Sequence, residues 1–183
     1  MRSASIFMKI KGSKQGVFKG DVLKDDKGIE KDSVGIYSVE YGIATPLDAA
    51  SGLPSGKRQH HPVTIVKRVG PSTINLLTAI TNNEILSTAT LSFWRPDGTG
   101  KLARFMGVEL TNATIREYNL TSSEETESSG GATERAGGQI AGASASQSTT
   151  EARLERVSFV FQKIEVTWTE GGLTYSDDWS NFS

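Results

Sequence analysis

Cysteine is missing from all 183 residues, so no disulfide, thiolate metal site or thiol nucleophile can contribute to what this chain does. That suits folding in a reducing compartment. An excess of one charge is missing too. Twenty Lys and Arg stand against twenty-one Asp and Glu, and a formal charge of −1 removes the basic footprint of a general nucleic-acid binder. Long apolar runs are absent, because Lys9 and Lys11 interrupt the stretch that begins Ile6-Phe7-Met8, so neither a signal peptide nor a membrane span is expected. Histidine occurs only at positions 60 and 61. Neighbouring strand residues face opposite ways, so this pair is not expected to hold one ion. Asp177-Asp178 lacks a third ligand at fixed spacing and reads as a solvated terminal turn. Ser51-Gly52 and Ser55-Gly56 lack the flanks of a nucleophile elbow, and no glycine cluster has phosphate-loop spacing. The residues therefore predict no catalytic, metal or cofactor site, and no enzyme.

Three weaker features are set aside on the same reasoning. Lys57-Arg58 and Lys67-Arg68 have the chemistry of a phosphate contact, but the neutral balance and an acidic segment downstream argue against nucleic acid. Asn112, Asn119 and Asn181 begin glycosylation triplets that have no meaning without a secretory route. Trp94 and Trp168 fall inside strand patterns, where packing is the default, which leaves Trp179 as the aromatic residue best placed for a contact.

What is present is mostly strand. Ile6, Met8 and Ile10 alternate with wetter neighbours, as one half-buried strand should. Tyr37, Val39, Tyr41 and Ile43 mark a second strand. Val63, Ile65 and Val69 mark a third, with Lys67 breaking its apolar side. Pro71-Ser-Thr opens a short helix that Ser72 or Thr73 can cap, with Ile74, Leu76, Leu77 and Ile80 as its apolar stripe and Asn82-Asn83 as its end. Residues 86–94 and 102–118 form a hairpin about the turn sequence Arg95-Pro-Asp-Gly-Thr-Gly-Lys101. Strand pattern returns at 157–168, and Gly171-Gly172 turns the chain into a last short segment, 173–179. About seven strands and one flanking helix predict a mainly β fold, an antiparallel barrel or sandwich, as a single domain over 1–183.

Two stretches stand apart. Residues 44–60 form a long, polar, turn-rich loop, and loops of that length in a compact domain belong to binding, gating or assembly. With no catalytic set beside it, the loop reads as an assembly element. Residues 121–150 are rich in Ser, Gly, Thr, Ala and Glu, with Ile140 the one large apolar residue, and are expected to be a flexible insert. The apolar side also switches along two strands. Val157, Phe159 and Phe161 give way to Ile164, Val166 and Trp168; Leu102, Met106, Val108 and Leu110 give way to Ala113 and Ile115. Either a β-bulge restores one core face, or the outer face is covered by the helix or a second subunit.

The ordered fragments Ile6-Phe-Met-Lys-Ile-Lys-Gly12, Ala44-Thr-Pro-Leu-Asp48, Ser51-Gly52, Ser55-Gly-Lys-Arg-Gln-His60 and Pro62-Val-Thr-Ile-Val-Lys67 resemble the Hcp (haemolysin-coregulated protein) family. Leu91-Ser-Phe-Trp-Arg-Pro96, Leu110-Thr-Asn112, Phe159-Val-Phe-Gln-Lys-Ile164, Trp168 and Asp177-Asp-Trp179 continue the likeness. Each is weak alone; their order across nearly the whole chain is specific. The resemblance implies an inner-tube protein of the bacterial type VI secretion system, a barrel forming hexameric rings that stack into a conduit. It implies small effectors in the lumen, a VgrG-type spike and a contractile sheath as partners, and no cofactor. It also implies residence in the bacterial cytoplasm, followed by secretion through the apparatus. By the same resemblance, Leu47, Asp48, Ser51, Gly52, Ser55, Gly56, Lys57, Arg58, Gln59 and His60 make contacts between subunits and rings. Ile164, Val166, Trp168, Asp177, Asp178 and Trp179 are further interface candidates. The chain stops at Ser183, just past the barrel pattern, so the toxin domain that some relatives carry is not expected. The 121–150 stretch is longer than the family pattern requires and takes no family contact. The alternatives are a tail-tube protein of a phage or another contractile injection machine, and a ligand-binding β-sandwich using Trp179.

Overall fold

A computed structural model describes residues 5–125 and 150–179, with side chains placed over 5–121 and 153–179. The first strand, β1 (Ile6–Gly12), alternates as its sequence requires and sends Met8 and Ile10 into the core. A two-residue strand, β2 (Gly16–Val17), folds back on it and delivers Phe18 to the interior. The longer strands that follow are β3 (Val34–Glu40), β6 (Val63–Arg68), β7 (Leu86–Pro96), β8 (Leu102–Glu125), β9 (Thr150–Val160), β10 (Lys163–Trp168) and β11 (Leu173–Asp178). Between β3 and β6 lie the two-residue strands β4 (Ile43–Ala44) and β5 (Gln59–His60), and helix α1 (Ser72–Thr81) follows β6.

The order β8-β7-β1-β3-β6-β9, with β9 returning to β8, closes a six-stranded antiparallel barrel. Closure leaves those six strands no open edge. The 24-residue β8 does double service: up to Thr111 it pairs with β10, and from Thr114 it pairs with β9. Strand β11 then adds to the outer side of β10. The expected hairpin is β7–β8, and its turn is held by the Asp97 carboxylate, which accepts from the Thr99 and Lys101 amides at 2.8 and 3.0 Å. Strand pairing runs further than the sequence suggests. Residues 121–125 and 150 of the expected insert belong to β8 and β9, and the rest of that insert lies outside the described residues.

The apolar switch has a local cause. Residues on one face of a regular strand are an even number apart, yet Leu110 and Ala113 are both fully buried, and so are Phe159 and Ile164. Asn112 takes a left-handed conformation, φ 49°, and opposite it the chain breaks between β9 and β10 at Phe161-Gln162. The Asn112 amide donates to the Gln162 side-chain oxygen at 2.8 Å and joins the two irregularities. Asn tolerates this backbone because its short polar side chain costs little there. The core face is therefore recovered by a kink of both strands at one level, two residues standing opposite two, and not by the one-residue bulge expected there. A bulge between Ile36 and Ser38 shifts β3. Val34 and Ile36 face the core, and Tyr37 and Ile43, expected on the apolar side, are exposed.

Helix α1 also differs from expectation. It packs through Leu76 and Ala79, with Ser72 and Thr73 buried beneath, while Ile74 is 69% exposed and Leu77 also faces outward. No side-chain cap forms at its start. Instead the Thr73 hydroxyl accepts from the Gly70 amide at 3.0 Å and donates to Glu155 at 2.9 Å. Glu155 explains the choice of face. It is fully buried and ion-paired with Lys67, which is equally buried on the core side of β6, and it also accepts from Tyr118 at 2.6 Å. Burial first, and then the bond to Glu155, pushes the Tyr118 phenol up, so it remains a donor.

Two desolvated charges are tolerable only when paired and fully hydrogen-bonded. Replacing Glu155 by Leu strands the Lys67 ammonium and should lower unfolding stability by about 3–5 kcal/mol. The double replacement Lys67→Met with Glu155→Leu should recover most of the loss. Urea unfolding at one fixed protein concentration measures both; equal losses in the single and double variants would contradict this account.

Candidate assembly site

The loop expected at 44–60 is not irregular. Ile43 and Ala44 pair with His60 and Gln59 at its base, and Leu47 bridges to Pro54 further out, so it is a hairpin. Its tip is ordered by Asp48. That carboxylate accepts from the Ala50 and Ser51 amides at 3.0 and 2.7 Å and from the Ser51 hydroxyl at 2.9 Å. The Ser51 amide and hydroxyl, with the Ala50 amide, hold the Asp48 carboxyl below its ordinary range. The chain then reverses at Gly52, φ 67°, a left-handed conformation suited to glycine, and the Asp48 amide bonds the Leu53 carbonyl at 2.8 Å. Asp48, two small residues, Ser51 and Gly52 are the signal that betrays this turn in the sequence.

The hairpin projects two leucines. Leu47 is 62% and Leu53 65% exposed, and Asp48, Ser51, Gly52, Ser55, Gly56, Lys57, Arg58 and Gln59 are exposed with them. His60 differs. Its side chain is only 2% exposed and sits at the hairpin base against Asp177 of β11, whose own side chain is 9% exposed. Arg58 approaches the same carboxylate with two guanidinium nitrogens, and the His60 Nε2 lies 2.7 Å from it. The other ring nitrogen, Nδ1, lies 2.7 Å from the Tyr41 hydroxyl. An ionised carboxylate can only accept, so Nε2 carries a hydrogen, and in the neutral ring Nδ1 accepts from Tyr41. Burial first, then Tyr175 and Asp177, pushes the Tyr41 phenol up to about 12, so it keeps its proton at neutral pH. Trp179 packs edge-on against the imidazole at 4.8 Å between centroids, and Phe161 does so at 5.7 Å.

Several expectations change here. Asp177 is not a solvated turn residue; it is the shared acceptor of the hairpin base. Trp179 packs on His60, and its amide bonds the Gln162 carbonyl at 2.9 Å, which tells against a ring free to stack on a ligand. Ile164 is fully buried and presents no apolar surface to a neighbour, whereas Val166 packs against the core but is only partly buried. The kink at Asn112 and Gln162 is what turns Ile164 inward. Trp168 is half-buried beside Phe105, 5.6 Å away, with the Arg95 guanidinium 5.5 Å from its ring. Asp178 ends β11 and is half-buried. The two pairs of cations do not form one patch, because Lys67 is in the core, Arg58 is on Asp177, and Arg68 lies over the Tyr37 ring at 5.6 Å. The sequence alone does not show Tyr41 and Phe161 as partners of this site, which forms only where His60 meets Asp177, 117 positions along the chain.

The class defined by these observations is a small antiparallel β-barrel with one packed helix and a preorganised hairpin tied to its outermost strand. Within that class, the sequence profile described as type VI secretion system effector, Hcp, matches residues 7–168, and the chain belongs to the Hcp family. This is a family of secreted tube proteins, not of enzymes. The major exported protein of Pseudomonas aeruginosa is 27% identical, over 94% of this chain and 94% of its own. A solved Hcp protein superposes with a TM-score of 0.75 at 24% identity, covering 95% of this chain and 98% of that one. Hcp1 from the E. coli EAEC 042 pathovar, as a double mutant, gives 0.74 at 20% identity over 97% and 99%. Secreted Hcp3 from Pseudomonas aeruginosa gives 0.65 at 22% over 95% and 97%.

The Arg58 guanidinium, with His60 adding, holds the Asp177 carboxyl well below the usual carboxylate range. A depressed folded value means the stabilisation is present above the unfolded value, about 3.9, and is lost as pH falls through the folded one. The hairpin base should therefore stay intact from neutral pH down to about 4 and release only in stronger acid. NMR of the Trp179 indole reports this; release at pH 5–6 would contradict the assignment.

Proposed function

We propose that this chain is the tube subunit of a type VI secretion system, forming hexameric rings that stack into a conduit. Membership of the Hcp family supports the system, and the preorganised, outward hairpin with Leu47 and Leu53 at its tip carries the assembly reading. A heterologous contact between identical copies closes into a ring when the rotation per copy divides a full turn. The hairpin suits such a contact, because its turn is ordered before it meets a neighbour and little entropy is lost on docking. Covering the two leucines supplies apolar area at roughly 25 cal/mol per Å², reduced by the cost of association.

In this reading the whole of 1–183 is one domain carrying an insert between β8 and β9. The lumen takes small effector proteins, a VgrG-type spike caps the tube, and a contractile sheath surrounds it. The protein waits in the bacterial cytoplasm and is exported through the apparatus. The Hcp profile match favours this reading over a phage tail tube.

Light scattering coupled to size exclusion should give a hexamer mass, with annuli in negative stain. A strictly monomeric mass at high micromolar concentration would overturn the proposal. Deleting residues 47–57 should leave the barrel spectrum by circular dichroism unchanged while weakening stacking, and undiminished long stacks would remove the hairpin from the ring contact.

A further inference from the structure

The hairpin is joined to the barrel by very little backbone. Its base ladder consists of Ile43 opposite His60 and Ala44 opposite Gln59, with one further bond from the His61 amide to the Gly42 carbonyl at 2.8 Å. A two-stranded ribbon so short does not fix its own direction. Among the described residues, strand β11 pairs with β10 on one side only. What ties the two together is side chain. Arg58 and His60 of the hairpin share the Asp177 carboxylate of β11, and Tyr41, Phe161 and Trp179 enclose the imidazole.

We propose that Arg58, His60 and Asp177 form a positioning latch, which sets the angle at which the 44–60 hairpin leaves the barrel and thereby the register of stacked rings. The proposal rests on the hairpin being a ring contact. None of the three residues needs to touch a neighbouring subunit for this role. Arg58 supplies a fork of donors that matches a carboxylate in one plane, so the pair fixes orientation as well as distance. His60 adds a second bond to the same oxygen, and the Tyr41 hydroxyl, which can rotate, satisfies the far side of the ring. The tip is organised separately, by Asp48 and the Ser51 hydroxyl, so loss of the latch leaves a well-formed hairpin pointing in the wrong direction.

The test uses the full chain with Arg58→Ala, Arg58→Lys, Asp177→Asn and the 47–57 deletion. Each is measured by circular dichroism, ring mass, stack length in negative stain, and exchange of the Gly52 and Leu53 amides. Arg58→Ala and Asp177→Asn should keep barrel, ring mass and tip protection while shortening stacks severalfold. Arg58→Lys, which keeps the charge and one donor direction, should restore part of the length. Normal stacks in both Arg58→Ala and Asp177→Asn, beside lost stacks in the deletion, overturn the latch and leave the contact reading standing. Normal stacks in the deletion overturn the contact reading itself. Should Asp177→Asn fail to fold, the exposed Arg58 decides alone; if Arg58→Ala also loses the barrel or the tip, the role is structural support and the proposal fails.

Discussion

Everything in this barrel depends on one strand changing partners without losing its core face. β8 runs for 24 residues, and a regular strand of that length would carry its apolar side from inside to outside wherever the spacing becomes odd. Asn112 makes the change of phase in a left-handed conformation, and the opposite chain breaks at the same level between β9 and β10. The pairing diagonal is nevertheless preserved: Thr114 faces Val160 before the break and Thr111 faces Lys163 after it. Both sides kink together, so the ladder does not slip at this level, and its one-residue shift against β9 comes later, between Ile115 and Glu117. The outer edge of the β9–β10 line is thereby divided, with β6 taking the part that closes the barrel and β11 the part that extends beyond it.

The same closure creates the electrostatic problem that organises the helix. β6 and β9 become neighbours, Lys67 faces Glu155 in register, and both lie on the inner side. An ion pair in that position needs its remaining donors and acceptors filled, or its desolvation exceeds its attraction. Thr73 and Tyr118 fill those of Glu155, and the Arg68 carbonyl takes a hydrogen from the Lys67 ammonium at 2.7 Å. Helix α1 is rotated so that Thr73 meets Glu155, and Ile74 and Leu77 consequently face away from the core. Apolar content alone pointed to the opposite face; a buried carboxylate decided it.

Legibility in the sequence follows the range of the interaction responsible. β1, the β7–β8 hairpin and the Gly171-Gly172 turn are written in local alternation and turn chemistry, and the structure has them where the residues place them. The phase shifts at Tyr37 and Asn112 are not, because a bulge at the first and a left-handed kink at the second change the face a residue takes without changing composition. Locally Lys67 reads as an interruption of an apolar strand and not as a core residue, since its partner Glu155 lies 88 positions away. The assembly site divides in the same way. Its extent, its turn and its polar character are local, whereas the attachment of its base to Asp177 is brought about only by the completed sheet.

That dependence links the barrel to the proposed assembly. Asp177 is presented by β11, β11 exists as a strand because β10 offers an edge, and β10 offers that edge because the kink at Asn112 separates it from β6. The hairpin emerges between β3 and β6, on the other side of the divided edge, and reaches across to the carboxylate. A hairpin held this way has its direction set by the closure of the barrel itself, through side chains that only the closed form brings within bonding distance. Partly folded chains would have the Asp48 turn, which is local, but not the latch.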